Sequence, residues 1–169
     1  MSADVRRLSE LEVPRLQATS PSWNRHEYAR RVGYQARGLA VQLVAWRGDV
    51  AVGRGMLVLP GHPEWSPSAF REGCPEIRDL AVADDMQRQG IGSALIEALE
   101  REAAAAGFTT IGLAVGIDDA YEAARYLYER LGYRFAHGPF ISASRLDTDD
   151  AKGMVVGGVC EFRVKALSG

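Results

Sequence analysis

Between Met86 and Glu100 the chain reads MQRQGIGSALIEALE, two glycines and three hydrogen-bonding side chains directly ahead of a helical pattern. A helix N-terminus leaves its first amide N–H groups without intrahelical acceptors and carries a partial positive charge. Glycines there let an anion reach the backbone with no Cβ in the way, so a strand, a glycine turn and a helix can cradle phosphate. The same glycines also suit a plain strand-to-helix turn, and the turn alone leaves both readings open. Two phosphate motifs are excluded. A dinucleotide fingerprint needs a third glycine where Leu95 stands, and the Gly-Lys-Ser/Thr ending of a P-loop is absent from the chain. NAD and ATP are therefore poor candidates.

The elements that must hold this turn follow from pattern. A length of 169 residues predicts one domain, 1–169, with 47% hydrophobic and 25% charged residues, ordinary for a globular chain. Net charge is −2, which does not point to nucleic acid. The charged start MSADVRRLSELEVPRL is no signal peptide, and no apolar run is long enough to span a bilayer, so no membrane partner is expected. Cys74 and Cys160 lie far apart and read as reduced thiols of a cytoplasmic protein. Val5–Leu8 is a short strand, and Ser9 with Glu12 resembles a capping box opening a helix over 10–19. A second helix follows Ser22. LAVQLVAW (39–46) and VAVGRGMLVL (50–59) form a hairpin, with Gly53 and Gly55 marking a bulge or a close backbone approach.

Residues 60–75, with four prolines, read as a loop. EIRDLAV (76–82) is a strand, then a helix runs over about 91–106 and FTTIGLAVG (108–116) is a buried strand. A crossover of this length implies a parallel pair. A helix over 118–132 and a terminal hairpin from 133–142 and 155–167 complete an α/β (α+β) pattern, a mixed sheet with helices on its faces.

Gln87-Arg88-Gln89-Gly90-Ile91-Gly92 resembles the Q/R-x-x-G-x-G/A signature of the GNAT superfamily of acyl-CoA N-acyltransferases. Its setting strengthens the likeness: EIRDLAV before it, then an amphipathic helix, a strand and YLYERLGY (126–133), similar to the family's LYE-x-x-GF helix end. Residues 74–135 carry the resemblance closely and the remainder only in element order. It implies a mostly antiparallel sheet of six to seven strands with a splayed parallel central pair and helices on both faces. It also implies acetyl-CoA as co-substrate and no metal.

By the same resemblance, amides of Arg88, Gln89, Gly90, Ile91, Gly92 and Ser93 would hold the coenzyme A pyrophosphate, supplemented by the Gln87 and Arg88 side chains. The pantetheine arm would pair with Leu80, Ala81 and Val82 in the gap, like an added strand, and the Val82 N–H would polarise the thioester carbonyl. Tyr128 matches the LYE tyrosine that meets the departing thiolate. A phenol titrates near 10 and a thiol near 8.5, so full proton transfer is uphill by roughly 2 kcal/mol; a hydrogen bond to the thiolate suffices. Glu76 stands fourteen residues before Gly90, the spacing of the general-base glutamate in the histone-acetylating branch. An alkylammonium acceptor near pKa 10.4 starts with a handicap of roughly 4 kcal/mol at neutral pH, which such a base could relieve. Alternation places Asp79 on the opposite strand face, so no carboxylate dyad is expected. Tyr121 stands where the family often has asparagine beside the pantetheine, which puts that residue's role in doubt.

These residues imply acetyl transfer to a primary amine by direct attack in a ternary complex. The acceptor is expected to be a small molecule, with a homodimer compatible. Acylation of a protein N-terminus or lysine, and a non-catalytic acyl-CoA sensor, are the alternatives. Trp23, His26, Trp65 and Phe70 could line an acceptor pocket or pack loops, and the acids in RLDTDD (145–150) read as solvated surface. His26, His62 and His137 lack metal-ligand spacing.

Overall fold

The computed structural model describes residues 2–20, 25–147 and 152–168, with no account of the side chains of residues 25–26, 143–147 and 152–156. The chain runs β1 (Asp4–Arg7), α1 (Val13–Thr19), α2 (Arg25–Ala36), β2 (Ala40–Arg47), β3 (Val50–Val58), α3 (Pro67–Glu72) and β4 (Glu76–Val82). It continues through α4 (Ile91–Ala105), β5 (Thr110–Gly116), α5 (Glu122–Arg130), β6 (Arg134–Asp147) and β7 (Lys152–Ala166). The seven strands form one sheet in the order β1-β2-β3-β4-β5-β7-β6, antiparallel except for β4 with β5. Glu12 accepts from the Ser9 amide and hydroxyl, as the capping box requires, but 10–12 is a 3-10 turn and α1 begins only at Val13.

The proline-rich stretch departs from its sequence reading. Ser66 caps α3 by accepting from the Ala69 amide at 3.1 Å, Pro67 occupies the first turn, and Gly73 closes the helix in the left-handed conformation. Proline content reads as loop, but the Ser66-Pro67 pair is itself a helix-start signal.

One sheet face carries α4 and α5 on a core of Leu43, Leu57, Ile77, Leu95, Leu99 and Ile111, with Leu127 and Tyr128 packed against it. Clusters around Leu16, Tyr28, Trp46, Met56 and Ala69 cover the other face with α1, α2 and α3. The glycines of β3 are explained by α4. A Cβ on Gly53 would lie 3.0 Å from Leu95 Cδ1, and one on Gly55 would lie 3.0 Å from Leu99 Cδ1.

Opposite Gly55 the β3–β4 ladder slips: Arg54 pairs with Ala81 and Met56 with Arg78, so Asp79 and Leu80 together face one residue. This is a β-bulge, which bends its strand. Asp79 takes φ 50°, a left-handed conformation that aspartate tolerates better than most residues. The bulge overturns one expectation. Glu76 and Arg78 face the α3 side and Ile77 the α4 core, so alternation would send Asp79 to the α4 face. Instead its carboxylate meets Arg31 of α2 at 2.6 Å and Arg54 at 2.9 Å. Beyond the bend, β4 leaves β5: only Glu76 with Gly112 and Ile77 with Leu113 remain paired.

Gly55→Val would push branched methyls into α4. It is expected to destabilise the protein by about 1–3 kcal/mol, seen as a lower denaturant midpoint; an unchanged midpoint would contradict the close approach.

Candidate active site

The parted strands open a cleft of about 800 Å³ through the sheet. Its walls include Glu76 to Leu80 of β4, Leu113 to Gly116 of β5, Tyr121, Tyr128, Ser66 to Ser68 and Phe140 to Ser142. The backbone along β4 is directed by the ladder. Gly53 lies opposite Val82, and Ala83 donates to the Val52 carbonyl at 2.9 Å, the pattern of a pair that exchanges no bonds of its own. The N–H and C=O of Val82 therefore point away from β3 into the gap, and Leu80, two residues earlier, shares that direction. Ala81 bonds toward β3.

At the end of β4 the turn into α4 is solvent-exposed. Arg88 (φ 56°) and Gly90 (φ 82°) are both left-handed. The first ladder bond of α4 runs from Ala94 to the Gly90 carbonyl at 3.0 Å. Among the described residues the amides of Arg88 to Ser93 donate to no backbone carbonyl. Ile91 faces the core at 3% exposure, while Gly92 and Ser93 stay partly open. The two glutamines brace the loop. Gln87 donates to Asp84 Oδ1 at 3.2 Å and to the Val82 carbonyl at 3.4 Å. Gln89 accepts from Arg47 at 2.7 Å and donates to the Asp85 carbonyl at 3.3 Å. An open arc of donors at a helix N-terminus, with the Arg88 side chain exposed beside it, fits a diphosphate.

Glu76 and Tyr128 reach the cleft from opposite faces of the sheet. Glu76 is 3% exposed, and one carboxylate oxygen accepts from the Ser66 amide at 3.3 Å. Burial pushes its carboxyl above the ordinary range, with Arg78 and the Ser66 bonds opposing. Asp79 behaves oppositely: burial works against its charge, but Arg31 and Arg54 outweigh it and hold the carboxyl below the usual value. Burial also raises the Tyr128 phenol, which stays protonated as a hydrogen-bond donor, and its ring meets Tyr133 edge-on at 6.0 Å. Tyr121 is half-exposed at the cleft's edge and packs over Gly116, where a Cβ would come within 2.3 Å of its ring.

Other candidates separate from this group. Trp65 donates to the Cys74 carbonyl at 2.9 Å and stacks edge-on with Phe70, which is 69% exposed; neither lines the cleft. Cys74 is fully buried and its thiol is pushed up to about 12 by burial, which leaves it inert as a nucleophile. Trp23, the side chain of His26 and the side chains of 143–150 lie outside the described residues. Among the described residues no group of three His, Cys, Asp or Glu could hold a metal, and no helix is long and apolar enough to cross a membrane.

The model of the acetyltransferase (GNAT) family matches residues 5–133. The chain belongs to the GNAT acetyltransferase family. Its members are acyl-CoA N-acyltransferases with acetyl-CoA as co-substrate. No curated protein sequence matches the chain. Among solved structures it is similar to the ribosomal-protein-S18-alanine N-acetyltransferase of Escherichia coli, with 20% identity over 99% of this chain and 95% of that one and a TM-score of 0.64. The PaiA N-acetyltransferase of Thermoplasma acidophilum, in complex with coenzyme A, has 14% identity over 98% and 99% and a TM-score of 0.65. A GNAT acetyltransferase of Elizabethkingia anophelis with acetyl-CoA bound has 15% identity over 98% and 99% and a TM-score of 0.61. At these identities the likeness is one of fold.

Three features of the site escaped the sequence. Ser66 was hidden in the proline-rich stretch, although its pairing with Pro67 signals a helix cap. The bulge was marked on β3 by Gly55 but not on β4, where nothing in EIRDLAV assigns it to Asp79. Arg78 carried no motif at all.

The raised Glu76 carboxyl has a consequence for stability. A group whose folded pKa lies above its unfolded value contributes stability fully below the unfolded pKa, and that contribution is lost as pH rises through the folded one. Glu76→Gln removes this loss. Its melting temperature relative to wild type is expected to climb as pH rises from about 4 toward neutrality; parallel pH profiles would contradict a strained carboxyl.

Proposed function

We propose that the protein transfers an acetyl group from acetyl-CoA to a primary amine on a small acceptor, by direct attack within a ternary complex. The observation that carries this reading is the open β4–β5 seam. It turns the Val82 N–H away from β3, toward the gap beside a cleft that Glu76 enters from one face and Tyr128 from the other. The amides of Arg88 to Ser93 hold the diphosphate, with Arg88 as a supplementary cation and Gln87 and Gln89 fixing the loop. Leu80 and Val82 pair with the pantetheine arm while Ala81 keeps the strand on β3, and Tyr121 closes its outer side.

The reaction then needs three services. Glu76 takes a proton from the acceptor ammonium, directly or through a water, and its raised pKa brings it nearer the task than an exposed carboxylate. The Val82 N–H stabilises the oxygen on which charge develops as the amine nitrogen bonds to the thioester carbon. When the C–S bond breaks, the electron pair stays on sulfur, the Tyr128 hydroxyl donates a hydrogen bond to that thiolate, and the second proton that the nitrogen loses as it becomes an amide passes to solvent water. Cys74, inert and buried, has no place in the sequence, which favours direct attack over an acyl-enzyme. A volume of about 800 Å³ shared by pantetheine and acceptor favours a small acceptor over a protein chain. The free, buried thiols fit action in the cytoplasm, with residues 1–169 working as one domain.

Thiol release from acetyl-CoA across polyamines, aminoglycosides, amino acids and peptides tests the proposal. Tyr128→Phe is expected to lower kcat about 10- to 100-fold while acetyl-CoA still binds, and full activity in that variant would remove Tyr128 from the mechanism. For the wild type, kcat/KM should rise with pH through the raised Glu76 titration as well as that of the amine. In Glu76→Gln the Glu76 limb should vanish, and an unaltered profile would assign the base elsewhere.

A further inference from the structure

Arg78 stands in the wall of the cleft, close enough to the Glu76 carboxyl for its charge to oppose the effect of burial there. It lies two residues along β4 from Glu76 and faces the same side of the sheet. At about 3.3 Å per residue the two side chains leave the strand roughly 7 Å apart. Its Nη1 donates to the Glu64 carbonyl at 2.7 Å, which fixes the guanidinium plane while leaving Nε and Nη2 uncommitted. Among the described residues Arg78 forms no salt bridge, whereas its neighbours Arg31 and Arg54 both share Asp79. Among the described residues neither Glu76 nor Asp79 forms a salt bridge with it. Asp79 is taken by those two arginines and the Tyr28 hydroxyl, and the Glu76 oxygen is turned to the Ser66 amide. A guanidinium never discards its proton, and a half-buried one with unpaired donors favours a bound anion. Its fork matches a carboxylate in a two-point contact.

We infer that the acceptor is an amino-carboxylate: an amine presented to Glu76 whose own carboxylate, within about 7 Å, is bound by Arg78. The inference rests on the amine-acetylation reading above and narrows it. Phe140 and Ile141 give the rest of that acceptor an apolar wall. A polyamine would bring a second cation toward Arg78 and is disfavoured.

Matched substrate sets test this: alanine, leucine, phenylalanine, glutamate and lysine, each against its primary amide and its decarboxylated amine, assayed by thiol release. Wild type is expected to favour the carboxylate over both analogues by about 10- to 100-fold in kcat/KM for at least one set. Arg78→Met should abolish that preference, and Arg78→Lys should retain part of it, since the charge remains and the fork does not. Acetyl-CoA affinity, measured on each variant, reports that the fold is intact. Equal use of acid, amide and decarboxylated amine by wild type, or a preference that survives in Arg78→Met, would overturn the inference and leave amine acetylation standing. No transfer to any member, with acetyl-CoA bound, would overturn both.

Discussion

Peptide groups that a sheet would normally pair are left open along one seam, and the site depends on that opening. A parallel neighbour could have continued to bond β4 past Ile77, but the bulge at Asp79 and Leu80 turns the strand away. The N–H groups of Leu80 and Val82 and the Leu80 C=O then face the gap, while the Val82 C=O accepts from Gln87. Unpaired backbone polar groups are tolerated only where something else satisfies them, whether water or a ligand with strand-like spacing. The bulge is held from a distance: Arg31 on α2 and Arg54 on β3 converge on the Asp79 carboxylate, with Glu27 backing Arg31. Ionic contacts from two elements thus fix a backbone conformation that the ladder itself does not favour.

Two carboxylates three positions apart on one strand are driven in opposite directions by their surroundings. Asp79 has two arginines and remains ionised. Glu76 has burial, a weak backbone donor and an arginine turned partly toward Glu64, and it is pushed toward neutrality. The division suits the clamp at Asp79 and the role proposed for Glu76. A clamp must keep its charge at every working pH, whereas a proton acceptor is useful when its pKa lies nearer that of its surroundings. Burying Glu76 against α3 costs stability, and the raised carboxyl is the signature of that cost.

The glycine turn was legible in the sequence because its requirement is local. Gly90 must be left-handed, donors must stay bare, and the turn must sit between EIRDLAV and an amphipathic helix. The parallel crossover, the hairpins and the order of elements followed from periodicity for the same reason. Asp79 was misplaced because strand alternation is only as good as the register, and a bulge set by Gly55 and by arginines far away in sequence shifts it silently. Gly53 and Gly55 were marked as a bulge or a close approach; the structure gives them both roles, through α4 and through β4. Trp65 and Phe70 could by residue type line a pocket or pack a loop, and they do the second, stacking on each other beside Cys74. Arg78 was invisible for a further reason: a lone arginine acquires meaning only when its neighbours' charges are seen to be spoken for.

Hydrogen exchange at individual amides, with and without coenzyme A, reaches the open seam most directly. Leu80 and Val82 are expected to exchange rapidly in the free protein, unlike Ala81 between them, and to become protected when coenzyme A is added. Slow exchange at both before any ligand is present, or no change on saturation, would mean that the strands are closed and that the site lies elsewhere.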